Sequence, residues 1–367
     1  MKFVFTSYSS TPEFKDPVQW LKRIEGYTGI LETLARENEV VGIERIDHEG
    51  RLEQNAVQYY FHRLKNKTAR FPRQLHGLIK SLNPDVVFIN GLIFPLQVIQ
   101  LRQRLGPGVK IVLIHRSERP FTGIKKYLQR AADKLVDAYL FTATGFGNDW
   151  INEGNIRDRK KIHAVMHGSS VFHRADKGAA RAKLSAGGSP LFLWVGRLNA
   201  NKDPLTVIHA FKDFLVRVPA ARLHMIYHTE ELLEEVKKAS SGFPAILLIG
   251  KVDHGDLQDW YNAADFIISG SHYEGGGIAV CEAMSCGCIP VVTDIIAFRQ
   301  MTGRNCGLLY PPGDQKALLA ALLSTIGMDR EKEKTKVLER FDQEFSFEAI
   351  GRKIKQVIIS LDKKKND

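Results

Sequence analysis

The chain has 367 residues, of which 44% are hydrophobic and 25% charged, and its formal net charge is +11. This length exceeds one ordinary hydrophobic core and indicates two domains of about 150–200 residues each. No apolar run approaches the roughly 20 residues that cross a bilayer, and the short apolar start MKFVFTSYSS is typical of a first strand rather than a signal peptide. We therefore expect a globular, cytoplasmic protein.

The first half of the chain alternates strand and helix patterns. Strands are predicted at KFVFTSY, VVGIERI, NPDVVFING, VKIVLIH and AYLFTAT, and helices at GILETLARENE, FPRQLHGLIKSL, PLQVIQLRQRLG and GIKKYLQRAADKLV. Near-continuous apolar strands between helices are typical of a parallel sheet that is covered on both faces. This pattern predicts a Rossmann-like N-terminal domain over residues 1–175.

A polar, glycine-rich stretch at residues 172–190, FHRADKGAARAKLSAGGSP, interrupts the alternation and is predicted to be the inter-domain linker. Strand patterns then return at LFLWVG, ARLHMIY, AILLIG, DFIISG and IPVVTD, with helices between them. We predict a second Rossmann-like domain over residues 186–345 and a C-terminal helix over residues 346–367 that packs back on the first domain. The predicted fold class is α/β with two doubly wound domains.

Positive charge is concentrated in the first half. Residues 51–185 contain 24 Lys and Arg against nine Asp and Glu, a net charge of +15, whereas the residues after 185 sum to −1. A basic region of this kind attracts phosphates, anionic lipid or nucleic acid, but no zinc-finger, helix-turn-helix or RNP signature supports nucleic acid. The four cysteines lack metal-binding spacing and are predicted to be reduced core residues.

Two stretches of the second half place polar groups directly after predicted strands, where open parallel sheets bind ligands. In WVGRLNANKDP, Arg197 and Lys202 precede a helix, an arrangement suited to a phosphate or diphosphate. In LIGKVDHGDLQDW, Lys251 and Val252 occupy a short loop whose backbone is available to a base edge. Taken singly, each stretch also fits an ordinary surface loop.

A third stretch, EGGGIAVCEAMSCGCIP, carries Glu274 and Glu282 around three glycines. Gly276 and Gly277 let the backbone approach a ligand, and a helix is predicted to begin near Ile278. Helical rise plus an extended loop separates the carboxylates by about 10 Å or more, beyond the roughly 5–9.5 Å of glycosidase pairs. The pair is therefore predicted to bind two separate sets of hydroxyl groups rather than to hydrolyse a glycosidic bond.

Together, the Arg197 and Lys202 pair, the block IGKVDHGDLQDWYNAAD and the two glutamates resemble a GT-B glycosyltransferase of family GT4, the group 1 retaining enzymes. The resemblance is strong over residues 186–320 and loose over the first domain. It implies two Rossmann-like domains that face a deep cleft. It further implies metal-independent transfer of a hexosyl group, with retention, from a UDP- or GDP-linked sugar that serves as co-substrate. The implied acceptor is a glycan or lipid-linked molecule of cell-surface polysaccharide biosynthesis.

The resemblance also implies roles for individual residues. Arg197 and Lys202 would hold the donor diphosphate and stabilise the charge of the departing group. Glu274 would bind hydroxyls of the donor sugar, and Glu282 those of the ribose. The remaining donor positions are Gly276, Gly277 and Ile278 beside the sugar and phosphate, and Lys251 and Val252 around the nucleobase.

The first domain departs from the family pattern. His115 ends the strand in IVLIHRSERP, and similar enzymes place a histidine there beside the transferred sugar. The alternative is a structural histidine whose hydrogen bonds are satisfied at the end of the strand. The usual Gly-Gly loop after the first strand is absent, and Tyr27, Thr28 and Gly29 are its nearest substitute. These departures leave the acceptor open.

Two stretches, YYFHRLKNKTARFPRQLHGLIK and RPFTGIKKYLQR, mix aromatic and basic residues. This mixture favours an anionic membrane surface, at about 1 kcal/mol per near-surface cation, although a solvated basic helix face has the same composition. We expect peripheral attachment to the inner leaflet of the membrane. Two other functions stay open from the sequence: a nucleotide-sugar epimerase on the same fold, and a non-catalytic module that binds a nucleotide sugar.

Overall fold

The computed structural model describes residues 1–63 and 70–363. These residues form two compact units, the first comprising Met1–Ser169 and the C-terminal segment from Phe347, and the second comprising Ser170–Ser346. Within the described ranges, no helix combines the length and the apolar character needed to cross a membrane.

The first unit is built on an eight-stranded sheet with the order β3-β4-β2-β1-β5-β6-β7-β8. Its strands are β1 (Lys2–Ser7), β2 (Glu39–Glu44), β3 (Gly50–Gln54), β4 (Val57–Phe61), β5 (Val86–Asn90), β6 (Lys110–Ile114), β7 (Ala138–Phe141) and β8 (Ile162–Ala164). The helices between them are α1 (Pro17–Arg23), α2 (Glu25–Ala35), α3 (Arg73–Ser81), α4 (Pro95–Leu105), α5 (Gly123–Asp133) and α6 (Thr144–Asn152). The central strands are buried on both faces, which explains their near-continuous apolar sequences.

The second unit repeats this architecture on a six-stranded, all-parallel sheet with the order β11-β10-β9-β12-β13-β14. Its strands are β9 (Leu191–Gly196), β10 (Arg222–Tyr227), β11 (Ile246–Gly250), β12 (Phe266–Ser269), β13 (Ile289–Thr293) and β14 (Leu308–Tyr310). Its helices are α7 (Lys177–Leu184), α8 (Pro204–Leu215), α9 (Leu233–Ser240), α10 (Leu257–Ala263), α11 (Ile278–Ser285), α12 (Ile296–Thr302), α13 (Gln315–Leu323) and α14 (Arg330–Glu344). The prediction of two doubly wound α/β domains is confirmed.

The hairpin formed by β3 and β4 was not predicted. β4 pairs parallel to β2 and antiparallel to β3, and it buries Tyr59 and Phe61 in the core. These two aromatic residues therefore do not belong to a basic surface, contrary to the reading of YYFHRLKNKTAR as an exposed mixture. Lys65 and Lys67 of that stretch lie outside the described residues.

The predicted linker was also wrong over much of its length. Residues 177–184 form α7, which packs on α10. Asp176 caps the helix by accepting a hydrogen bond from the backbone N–H of Ala179 at 2.6 Å. The boundary between the two units lies earlier, between Ser169 and Ser170.

The last helix, α15 (Phe347–Lys363), lies in the first unit and packs on α2. A Cβ atom at Gly29 would lie 2.5 Å from the Phe347 ring, so α2 needs glycine there for α15 to approach. Gly29 thus allows two helices to pack. It lies inside α2 and does not form a loop that could replace the missing Gly-Gly loop after β1. Ion pairs Arg36–Glu348 (3.1 Å) and Lys355–Glu37 (2.8 Å) flank the contact.

Candidate functional site

The loop from β9 to α8 carries two of the predicted cations. Asn199 accepts a hydrogen bond from the backbone N–H of Lys202 at 3.0 Å, and Asp203 caps α8 by accepting from the N–H of Thr206 at 3.3 Å. These local contacts fix the turn after the strand. Arg197 is exposed, and its side chain makes no hydrogen bond or ion pair with another residue of the described ranges.

The structure brings Lys202 and Glu274 into direct contact. The Lys202 Nζ forms an ion pair with Oε1 of Glu274, and the Ser271 hydroxyl donates to the same oxygen at 2.7 Å. The two side chains are 23% and 14% exposed, so the pair is recessed but accessible. Residues predicted to hold different parts of a donor therefore share one site at the carboxyl ends of β9 and β12.

The glycine stretch after Glu274 leads directly into α11, which begins at Ile278 as predicted. Gly277 has a φ of 60°, in the left-handed region, and a Cβ atom there would lie 2.8 Å from the Phe298 ring. Both conditions require glycine at this position. Gly276, like Gly277, is buried. The start of α11 is therefore packed too closely for a side chain at residue 277.

Glu282 lies one turn into α11 and is held from two sides. The buried Tyr261 hydroxyl donates to Oε2 at 3.0 Å, and the His254 Nε2 contacts Oε1 at 2.8 Å. The Glu282 side chain is only 8% exposed, whereas His254 is 46% exposed and its ring packs on Phe172. Glu282 and Glu274 thus contact different sets of residues.

Sequence reasoning missed His254 and Tyr261 as partners of Glu282. Both lie in the block IGKVDHGDLQDWYNAAD, His254 on the turn before α10 and Tyr261 within α10. No local pattern in the sequence joins these two residues to Glu282. The same segment begins with Lys251 and Val252, which line a surface cavity of 520 Å³ together with Trp260.

His115 is not on the surface of the first unit. It is 1% exposed, its Nε2 contacts the Glu118 carbonyl at 2.9 Å, and its ring packs against Phe141 with centroids 4.7 Å apart. Burial lowers its pKa, which favours the neutral imidazole. The Nδ1 atom has no partner among the described residues. At this exposure the His115 ring is closed to a sugar unless residues that bury it move.

A second polar cluster at the same sheet edge was not predicted. Glu44 ends β2 and accepts a hydrogen bond from the Trp20 indole at 3.0 Å, and burial raises the pKa of this carboxyl. Asn90 ends β5 and donates to the Tyr27 hydroxyl at 3.1 Å, while its Oδ1 has no partner in the described part of the chain. The signal was present, since both Glu44 and Asn90 occupy the carboxyl ends of strands.

Comparison with known proteins identifies the second unit. Residues 176–339 match the model of the glycosyl transferases group 1 family. These residues contain Arg197, Lys202, Glu274 and Glu282. The chain carries a group 1 glycosyltransferase domain. This match confirms the group 1 domain that the sequence motifs predicted in the second half of the chain.

Relatives of this glycosyltransferase extend over both units. The lipopolysaccharide core biosynthesis mannosyltransferase LpsB of Rhizobium meliloti is 27% identical over 285 residues, which span 72% of this chain and 76% of LpsB. Sucrose-phosphate synthase from Thermosynechococcus elongatus superposes with a TM-score of 0.71 at 16% identity, over 98% of each chain. Anabaena HepE in complex with UDP and glucose gives a TM-score of 0.68 at 16% identity, over 98% of this chain and 100% of HepE. The structural likeness confirms the GT-B fold.

Proposed function

We propose that this glycosyltransferase moves a hexosyl group from a UDP- or GDP-linked sugar to a glycan or lipid-linked acceptor of cell-surface polysaccharide biosynthesis. The proposed transfer retains the anomeric configuration and uses neither a metal nor another cofactor. The observation that carries the proposal is the Lys202–Glu274 pair, which lies on strand-end loops of a group 1 domain together with the exposed Arg197. The name of LpsB, a lipopolysaccharide core biosynthesis mannosyltransferase, supports the proposed acceptor class. The UDP and glucose in the HepE complex support a sugar nucleotide as the donor.

The donor diphosphate is proposed to bind Arg197 and Lys202. A guanidinium offers a planar set of donors to phosphate, and an ammonium has three donors, so Lys202 can contact phosphate without leaving Glu274. Both cations would stabilise the negative charge that grows on the leaving diphosphate. The backbone of Gly276, Gly277 and Ile278 lies on the loop that follows Glu274 and would approach the sugar and phosphate.

The hydroxyl groups of the donor are proposed to bind the two glutamates. Both described contacts of Glu274 use Oε1, which leaves Oε2 available to a sugar hydroxyl. Glu282 has one partner on each oxygen, and a carboxylate accepts about four hydrogen bonds, so ribose hydroxyls can add to it. Lys251 and Val252, on the loop before His254, would flank the nucleobase.

The proposed reaction breaks the bond between the sugar C1 and the diphosphate oxygen while the acceptor oxygen bonds to C1 on the same face. The departing phosphate oxygen takes the acceptor proton, so no side chain needs to act as a base. His115 would lie near the transferred sugar once residues that bury it move. Glu44, Tyr27 and Asn90 offer hydroxyl-binding groups to the acceptor in the first unit.

A donor panel tests the proposal. UDP-, GDP- and ADP-linked glucose, galactose, mannose and N-acetylglucosamine are incubated with the wild type and Glu274→Ala, and release of nucleoside diphosphate is measured with and without EDTA. We expect release with a subset of donors, no effect of EDTA, and a large loss in Glu274→Ala. Glu333→Ala is the control, because Glu333 pairs with Lys336 on α14 of the same unit.

Each alternative gives a different result in this assay. Donor binding without release from any sugar nucleotide would indicate a non-catalytic module. Conversion of one sugar nucleotide into its epimer without net release would indicate an epimerase. NMR of the product anomeric proton decides retention, and an inverted linkage would overturn that part of the proposal.

A further inference from the structure

Helix α5 exposes its large apolar residues. Ile124, Tyr127 and Leu128 are 88%, 67% and 38% exposed, and Ala131 is exposed as well. Their spacing of three, four and seven residues from Ile124 places them on one side of a helix. We call this row of four residues the α5 stripe. A surface helix of a globular protein ordinarily turns such a row towards the core.

The opposite side of α5 is polar and buried. Gln129 and Asp133 are 0% and 2% exposed. Asp133 accepts hydrogen bonds from the Tyr139 hydroxyl at 3.0 Å and from the backbone N–H of Arg157 at 3.2 Å. These contacts fix the rotation of the helix about its axis, so the stripe faces outwards because of specific inward polar contacts. An apolar row held outwards in this way marks an interaction surface.

The charge around the stripe is positive. Residues 119–132 contain four cations, Arg119, Lys125, Lys126 and Arg130, and no acidic residue. Arg119 and Lys125 are exposed, as is Lys134 just beyond them. The neighbouring helices add apolar groups at the same sheet edge, since Phe71 and Ile93, just before α3 and α4, are 54% and 43% exposed. The helices contact one another in the order α3, α4, α5.

We infer that the α5 stripe docks on an anionic lipid bilayer, with α5 lying in the plane of the interface. Ile124, Tyr127 and Leu128 would enter the boundary between headgroups and acyl chains, while Arg119 and Lys125 contact lipid phosphates. A protein partner would need only the apolar row. The row is combined here with Arg119 and Lys125, which have no ion-pair partner among the described residues, and this combination complements an anionic bilayer. This inference is independent of the proposed donor chemistry, because it concerns the surface on which the enzyme works.

Vesicle flotation without any substrate tests the inference. Full-length protein is mixed with phosphatidylcholine vesicles, with or without phosphatidylglycerol, at low and high salt. The wild type is expected to float only with phosphatidylglycerol and to be released by salt. Lys125→Ala is expected to weaken partitioning about fivefold, as the loss of about 1 kcal/mol per cation implies. Ile124→Ser with Leu128→Ser should weaken it at least about tenfold.

Matched controls separate docking from general surface effects. Ile326→Ser removes an apolar side chain of the second unit that is 55% exposed, and Lys332→Ala removes an exposed cation there, so both should float as the wild type does. The four native cysteines are free and buried, so Tyr127→Cys can be labelled selectively with an environment-sensitive fluorophore. The label at residue 127 should shift to the blue on vesicle addition, whereas a label on Ile326→Cys should not.

Three results would overturn the inference. The first is a wild type that does not float with anionic vesicles or floats equally with neutral ones. The second is Ile124→Ser with Leu128→Ser floating unchanged. The third is self-association of the wild type that these stripe substitutions abolish while flotation persists, because a second copy of the chain would then cover the stripe.

Discussion

Replacing Glu274 by glutamine is expected to strengthen the binding of UDP or GDP while sugar transfer falls. The carboxylate neutralises Lys202 in the free protein, and glutamine removes that charge but keeps a group able to accept the Ser271 hydrogen bond. The Lys202 ammonium would then be fully available to a diphosphate. The sugar hydroxyls would lose their charged acceptor at the same time.

The size of the gain follows from the burial of the pair. Two unit charges about 4 Å apart interact by about 1 kcal/mol in water and about 4 kcal/mol at an effective dielectric constant near 20. Because Lys202 is 23% exposed and Glu274 14% exposed, solvent screening favours the lower part of this range. A change of about 1–2 kcal/mol corresponds to diphosphate binding that is about five- to thirtyfold tighter.

Isothermal titration of UDP and GDP, combined with turnover of the accepted donor, measures both effects. Lys202→Met should act in the opposite direction and weaken diphosphate binding about tenfold or more, as expected for the loss of a charge-assisted hydrogen bond. Glu333→Gln is the matched control, since it disrupts the Lys336 pair, whose side chains are 38% and 19% exposed. Unchanged or weaker diphosphate binding by Glu274→Gln would refute the assignment of Lys202 to the diphosphate.

Three further predictions concern stability, the donor and the acceptor. Asp265→Asn should lower the free energy of unfolding by about 3–5 kcal/mol in urea, because the buried Asp265 pairs with cations including Lys177. Burial alone would raise the pKa of Asp265, but the Leu191 N–H and Lys177 lower it. This stabilisation is therefore present above about pH 4 and lost in acid. If the difference in unfolding free energy between Asp265→Asn and the wild type does not narrow in acid, this reasoning is wrong. Tyr261→Phe should weaken donor binding by calorimetry about fivefold, since Glu282 loses an orienting donor, and an unchanged Kd would count against that role. Glu44→Gln should raise the KM for the acceptor and leave the donor KM unchanged; an effect on the donor alone would exclude it from acceptor binding.

The parallel strands of both units were predictable because burial on two faces makes each strand a short apolar run. The β3–β4 hairpin was not, and its turn explains why. Asn55 and Ala56 both adopt positive φ values, 51° and 63°. Such a turn usually carries glycine at its second position, so an alanine there removes the expected signal.

The site residues were predictable from local motifs, but their contacts with distant residues were not. Arg197, Lys202, Glu274 and Glu282 were recognisable because each lies in a short motif with fixed local spacing. The contact of Lys202 with Glu274 joins residues 72 positions apart, which no local pattern reports. The α7 helix was predicted to be a linker for a related reason. Its Lys177 and Arg181 pair with Asp265, which lies 88 residues beyond Lys177.

The placement of α15 has a consequence for synthesis. The first unit is interrupted by the whole of the second unit and is completed only by the final helix. A ribosome therefore finishes Ser170–Ser346 while the surface of α2 around Gly29 and Leu34 still lacks its cover. The second unit can fold during translation before α15 is made, whereas the first is complete only after α15 has been synthesised.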